Sequence, residues 1–148
     1  MNDRRLLLSR KNLGRNIRQN IIHFFTSLNV DSIDYDSFLD LIETESIIDY
    51  ISKTTPHRVD YVFTSWVDFK NFLNSLELPE EILLYTKDSE YCGLLRIYSL
   101  LVTNNVIEIL SNPIFAGYFT IYLISENKKI EFDMEENEYA ISIYQTED

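Results

Sequence analysis

Hydrophobic residues recur at helical spacing near the start of the chain and alternate with polar residues in its last third. A helix from about residue 3 to 28 would align one apolar stripe, formed by Leu13, Ile17, Ile21, Phe24 and Leu28. Gly14 interrupts this segment and costs about 1 kcal/mol relative to alanine. The early turns of the helix are therefore expected to fray.

A second helix is predicted over about residues 35–53, after a run rich in aspartate and serine. The spacing Ser37-x-x-Asp40 resembles a capping box, with Asp34 and Asp36 as alternative caps. The aspartates also suggest a calcium-binding loop. That interpretation fails because the segment lacks the central glycine and the alternate oxygen ligands that such a loop needs.

The middle of the chain combines short strands with a third helix. "RVDYVFTSW" alternates as a strand does, with Val59, Tyr61 and Phe63 on one face. Ser65-x-x-Asp68 then opens a short helix that we expect Pro79 to end. "EEILLYT" and "YCGLLRIYSLLV" predict two strands joined by the turn "KDSE", and "NNVIEILSNP" predicts a loop with one or two helical turns.

The last third, residues 117–145, predicts three antiparallel strands with turns at "ENKK" and near "EENE". With three glycines and three prolines in 148 residues, little punctuates the chain into separate units. We therefore expect one domain spanning residues 1–148. Its fold class is α+β, with N-terminal helices packed on a C-terminal antiparallel sheet.

Charge is distributed unevenly. The net charge is −11, but residues 1–18 contain six basic side chains and one acidic one, whereas the remaining 130 contain seven basic and 23 acidic. An acidic body repels nucleic-acid phosphates and attracts cationic surfaces. We therefore expect no direct nucleic-acid binding outside the N-terminal segment, where the basic face of the helix is interpreted as solvated or paired with the acidic body.

We expect neither a membrane-spanning segment nor a signal peptide, because the apolar runs are too short for either. The single cysteine, Cys92, cannot form an internal disulfide and is expected to be buried and inert. A cytoplasmic location is predicted, with no membrane association.

The segment "IEFDMEENEYAISIY", residues 130–144, contains five carboxylates and no basic residue. Strand alternation assigns Ile130, Phe132 and Met134 to the core face. It assigns three carboxylates to the other face, those of Glu131, Asp133 and Glu135. Like charges on neighbouring positions repel, so a cationic partner would stabilise this face.

Tyrosines accompany these carboxylates in the C-terminal strands, notably Tyr118, Tyr122 and Tyr144. Tyrosine offers a broad contact surface with a hydrogen-bonding tip, and protein interfaces are enriched in it. We therefore predict a partner-binding surface formed by Glu131, Asp133, Glu135, Tyr118, Tyr122 and Tyr144. The simpler alternative is that the tyrosines only cover the sheet.

An enzymatic alternative rests on Glu126-Asn127-Lys128, which matches the ExK element of one nuclease class. Together with Glu131 and Asp133 it would form a metal-dependent site. The match is short and falls in an expected hairpin turn. His23, His57 and Cys92 form no recognisable local motif, and no phosphate-binding loop is present. We therefore predict a protein that is not an enzyme, with no catalytic, metal or cofactor site.

In size, acidity and helices-then-sheet order, and in the stretch "LPEEILLYTKDSEYCGLLRIYSLL", the chain resembles the immunity proteins of bacterial polymorphic toxin systems. The resemblance implies a stoichiometric inhibitor that binds a cognate toxin, often a cationic nuclease. The predicted partner is therefore a basic protein toxin. A further alternative is a regulatory adaptor that acts through the basic N-terminal helix.

Overall fold

The computed structural model describes residues 2–146, apart from the side chains of Asn2, Asp3, Leu6 and Leu7. The helices are α1 (Asn2–Ser27), α2 (Leu41–Thr54), α3 (Trp66–Ser75), α4 (Ser89–Cys92), α5 (Ser99–Thr103) and α6 (Val106–Ser111). The strands are β1 (His57–Phe63), β2 (Glu81–Tyr85), β3 (Leu95–Tyr98), β4 (Tyr118–Leu123), β5 (Lys128–Glu135) and β6 (Glu138–Gln145).

All six strands form one antiparallel sheet in the order β1-β6-β5-β4-β2-β3. The α+β class and the three C-terminal strands are confirmed. The strand predicted from "RVDYVFTSW" is also present as β1, and it forms one edge of the sheet. The other edge is β3.

One face of the sheet is covered by helices from both halves of the chain. Phe119, Phe132 and Ile141 on the central strands are fully buried. They belong to a cluster with apolar side chains of α1, α3, α5 and α6, among them Ile21, Phe25, Phe69, Leu73, Val102 and Ile109. The helical layer is therefore not only N-terminal, because α5 and α6 lie between the third and fourth strands in sequence.

The opposite face is covered only in part, by α2. Ile51 of α2 packs with Leu83 and Tyr122 in a second, smaller cluster that also contains Leu39 and Leu94. This cluster lies over β2 and β4. The part of the same face that β1, β6 and β5 form carries no equivalent apolar cluster within residues 2–146.

The start of the second helix differs from its prediction. Residues Tyr35–Ser37 form a separate 3-10 turn, capped by Asp34, which completes a capping box with Ser37. Asp40 caps α2 instead, since its carboxylate accepts a hydrogen bond from the backbone N–H of Glu43 at 2.7 Å. The Ser65 cap of α3 is confirmed, because its hydroxyl accepts from the N–H of Asp68.

The single strand predicted from "YCGLLRIYSLLV" is wrong. That segment contains the end of α4, the four-residue strand β3 and the helix α5. Gly93 separates the first two, with φ of +88°, and a Cβ there would lie 2.0 Å from the carbonyl oxygen of Leu39. Only glycine fits at this position, because neither the backbone angle nor the space admits a side chain.

Candidate functional site

The uncovered part of the sheet, which we call the open sheet face, carries tyrosines and charged side chains on four adjacent strands. By strand register it comprises Arg58, Asp60 and Val62 of β1, Ala140, Ser142 and Tyr144 of β6, Lys129, Glu131 and Asp133 of β5, and Tyr118 and Thr120 of β4. The predicted site residues Glu131, Asp133, Tyr118 and Tyr144 therefore share this face.

Tyr144 lies between two cations on neighbouring strands. Lys129 Nζ is 4.4 Å from the centroid of the Tyr144 ring, and Arg58 Cζ is 5.4 Å from it. Both distances allow cation–π attraction. The hydroxyl of Tyr144 donates a hydrogen bond to Oε2 of Glu131 at 3.3 Å. These contacts hold the ring in one position.

The carboxylates of Glu131 and Asp60 are partly neutralised within the face. Oε1 of Glu131 is 3.8 Å from Lys129 Nζ. Asp60 pairs with Arg58 at 2.7 Å and accepts a hydrogen bond from the hydroxyl of Ser142 at 2.6 Å. The Ser142 hydrogen bond, followed by the one from Arg58, lowers the pKa of Asp60 below its ordinary value.

Asp133 differs from these two carboxylates. It is exposed, and none of the ion pairs among residues 2–146 involves it. In register it lies opposite Tyr118 on one side and Ala140 on the other, and Val62 follows Ala140 in the same row. Ala140 has the smallest side chain of this row, so the surface is lowest between Val62 and Asp133, and we call this position the Ala140 gap. Val62 is 61% exposed, and Tyr118 lies on the far side of Asp133.

Burial raises the pKa of each tyrosine on or beside this face. It is the largest cause of the raised pKa values of Tyr118, Tyr144 and Tyr85, and the negative charge of Glu131 contributes to all three. These hydroxyls thus stay protonated and can donate hydrogen bonds at neutral pH. Their rings are half-buried, which leaves part of each available for contact.

Two of the predicted site residues are placed differently. Tyr122 belongs to the same face but is only 4% exposed, since α2 covers it. Glu135 is exposed at the end of β5, opposite Glu138 across the hairpin. Tyr122 therefore contributes to packing rather than to the exposed surface, and Glu135 lies at the margin of the open sheet face.

The residues of the enzymatic alternative are split by strand geometry. Lys128 shares the face of Ile130 on β5, whereas Glu131 and Asp133 lie on the other face. Glu126 lies in the preceding 3-10 turn. Within residues 2–146, no group of three or more His, Cys, Asp or Glu side chains is arranged to hold a metal ion.

The basic residues of α1 differ in their contacts. Arg18 donates from Nε to the carbonyl oxygen of Cys92 at 2.7 Å and from its Nη2 atom to that of Leu39 at 3.2 Å. Arg10 donates to the carbonyl oxygen of Glu90 at 2.5 Å and lies 3.7 Å from Glu45. These two arginines bind the body of the protein, while Lys11 and Arg15 remain exposed.

Cys92 is fully buried, as the sequence predicts, and burial raises its pKa to about 12. Both histidines, His23 and His57, are exposed and distant from it in the sequence. No helix among the described residues is long and apolar enough to cross a membrane.

Sequence analysis does not identify the two cations of the open sheet face, Arg58 and Lys129, as part of the candidate site. Arg58 and Lys129 each precede a carboxylate by two positions on the same strand, so alternation alone places Arg58 beside Asp60 and Lys129 beside Glu131. What the sequence could not supply is the register that brings both cations to Tyr144. Comparison of the chain with models of protein families, with curated proteins and with solved structures found no match.

Proposed function

We propose that this chain is an inhibitor that neutralises a cationic protein toxin, in the manner of an immunity protein, by docking the toxin on the open sheet face. The observation that carries the proposal is the row Val62, Ala140, Asp133 and Tyr118, in which apolar and aromatic side chains adjoin an exposed carboxylate that forms no ion pair among residues 2–146. Apolar and aromatic side chains are typical of the centre of a protein interface, and charged side chains beside them are typical of its rim.

The gap suits a lysine or arginine side chain from the partner. The aliphatic stem of such a side chain would pack on Val62 and Ala140, while its cationic head would reach Asp133. The ring of Tyr118 is placed to flank that head, and its hydroxyl oxygen can accept a further hydrogen bond from it. Asp133, which forms no ion pair among the described residues, would then gain a cationic partner.

The rest of the face favours binding over a wider area. A stable complex buries roughly 800 Å² on each partner, which exceeds one such gap and requires the neighbouring strands as well. Tyr144 is already fixed by Arg58, Lys129 and Glu131, so its ring loses little side-chain entropy on binding. The net charge of −11 attracts a cationic toxin from a distance and speeds association.

Neutralisation would follow from occupation of the toxin's basic surface. A toxin that acts on nucleic acid needs cationic side chains to bind phosphate. If Asp133 and the carboxylates around it bind those side chains, the substrate is excluded. Inhibition is then stoichiometric and requires no chemistry from the inhibitor.

The test is capture followed by inhibition. Tagged wild-type chain is used to capture proteins from the cell that produces it, and each captured protein is assayed for toxicity on expression alone and with the chain. We expect to capture a basic protein whose toxicity the wild-type chain abolishes at a 1:1 ratio. The double variant Asp133→Lys, Tyr118→Ala should not abolish this toxicity. Glu77→Lys, a charge reversal in the exposed segment after α3, is the control. Full protection by the Asp133→Lys, Tyr118→Ala variant, folded as wild type, would exclude the open sheet face.

A further inference from the structure

A second surface feature is a groove between α1 and the start of α2, and none of the residues that line it belongs to the open sheet face. Its volume is about 460 Å³, within the usual range for small-molecule sites. It is lined by Lys11, Gly14, Arg15 and Arg18 of α1, Tyr35, Asp40, Leu41 and Ile42 before and within α2, and Tyr91 of α4.

Backbone contacts hold the groove open in a fixed shape. A Cβ at Gly14 would lie 2.0 Å from the carbonyl oxygen of Tyr91, so α1 and α4 touch there backbone to backbone. Tyr35 donates its hydroxyl hydrogen bond to the carbonyl oxygen of Arg15 at 2.8 Å. Arg18 is held between carbonyl oxygens and lies 5.5 Å from the Tyr35 ring centroid. The walls are therefore positioned before any ligand arrives.

The groove presents positive charge that is not already used. Lys11 and Arg15 are one helical turn apart on α1, both exposed, and none of the ion pairs among the described side chains involves either. Among the described lining residues Asp40 is the one carboxylate, and it accepts a hydrogen bond from the backbone N–H of Glu43 as the cap of α2. A ligand anion would thus meet two available cations.

Apolar and aromatic surface lies beside these cations. Tyr35, Tyr91 and Leu41 are half-buried in the lining, and Ile42 is 84% exposed at the rim. Covering the exposed Ile42 side chain with an apolar group of a ligand would remove apolar surface from water, which is favourable. Anion-binding and apolar surfaces therefore adjoin within one site.

We infer that the groove binds a small amphiphilic anion, a phosphate or carboxylate group joined to an aromatic or apolar body. The anionic group lies against Lys11 and Arg15, and the body packs on Tyr35, Tyr91 and Ile42. A long polyanion such as a nucleic acid fits less well, since 23 acidic residues outside the N-terminal segment would repel it. This site is independent of the toxin-binding function.

The experiment uses phenyl phosphate as the amphiphilic anion, with inorganic phosphate and phenol as its two halves. Each is titrated into the full chain while amide chemical shifts are recorded. We expect phenyl phosphate to bind with a roughly millimolar Kd or tighter, and each half to bind at least about tenfold more weakly. The shifts should concentrate at residues 11–18, 35 and 40–42.

Variants separate this site from diffuse charge attraction. Arg15→Glu should weaken the binding of phenyl phosphate at least about tenfold, and Ile42→Ser should weaken this binding by a smaller factor. Lys70→Glu on α3 makes the same charge change at an exposed position and should have little effect. Inorganic phosphate binding as tightly as phenyl phosphate, equal losses in Arg15→Glu and Lys70→Glu, or no binding at all would each overturn the inference.

Discussion

Gly14 of α1 lies so close to Tyr91 of α4 that a Cβ on the glycine would be 2.0 Å from the Tyr91 carbonyl oxygen. The two helices therefore meet backbone to backbone, and Gly14 is buried. The helix continues without interruption on both sides of it, from Asn2 to Ser27. Gly14 is a packing contact of α1.

Replacing this glycine separates two opposing effects. Helix propensity alone predicts that Gly14→Ala stabilises the protein by about 1 kcal/mol. The contact with Tyr91 predicts instead a net loss of about 1–3 kcal/mol in the free energy of unfolding, because the helices must move apart. Urea denaturation distinguishes the two. Asn16→Ala, at an exposed position of the same helix, is the control and should be neutral or slightly stabilising.

Arg18 fastens the same region through its charged hydrogen bonds to the carbonyl oxygens of Cys92 and Leu39. Arg18→Met keeps most of the side-chain volume but removes both donors. We expect the free energy of unfolding to fall by about 1.5–3 kcal/mol. Arg15→Met, at an exposed position of the same helix, should change it by no more than about 0.5 kcal/mol. Equal effects of the two substitutions in thermal or urea unfolding would contradict this role of Arg18.

Tyr122 makes the free energy of unfolding depend on pH in the alkaline range. Burial raises its pKa above the ordinary value of 10.0, so the folded state favours the neutral phenol. The corresponding stability is fully present below pH 10 and is lost as pH rises through the folded-state pKa. Relative to Tyr122→Phe, wild type should lose up to about 1.4 kcal/mol per pH unit above 10. Parallel curves for the two proteins in urea denaturation from pH 8 to 11.5 would contradict the assignment.

The elements that sequence predicted well depend on local signals. Alternation in residues 117–145 defines three strands, and Ser65 caps α3 as its spacing indicates. The prediction of one strand over residues 91–102 is wrong because short apolar runs such as those in this segment fit a strand and a buried short helix equally, and only tertiary packing decides between them. Gly14 was misinterpreted for a related reason, since Tyr91 is remote from it in the sequence.

The candidate site divides in the same way. Alternation alone placed Glu131 and Asp133 together, but it treated them as equivalent. The register of β5 with β6 and of β6 with β1 distinguishes them. Glu131 pairs with Lys129 and accepts a hydrogen bond from Tyr144, whereas Asp133 lies beside the Ala140 gap. Likewise, Tyr122 could not be separated from Tyr118 until α2 was seen to cover it.

The most direct test of the proposed function is the rate at which the captured toxin associates with the chain across a salt series. Charges near a docking site act mainly on association, and salt screens them. At low salt, Glu131→Lys with Asp133→Lys should slow association about tenfold or more and flatten its salt dependence, with Asp133→Lys alone giving most of the effect. Glu77→Lys should slow it less than Asp133→Lys does. If the double variant associates as fast as wild type at low salt, the open sheet face is a solvated surface and does not dock the toxin.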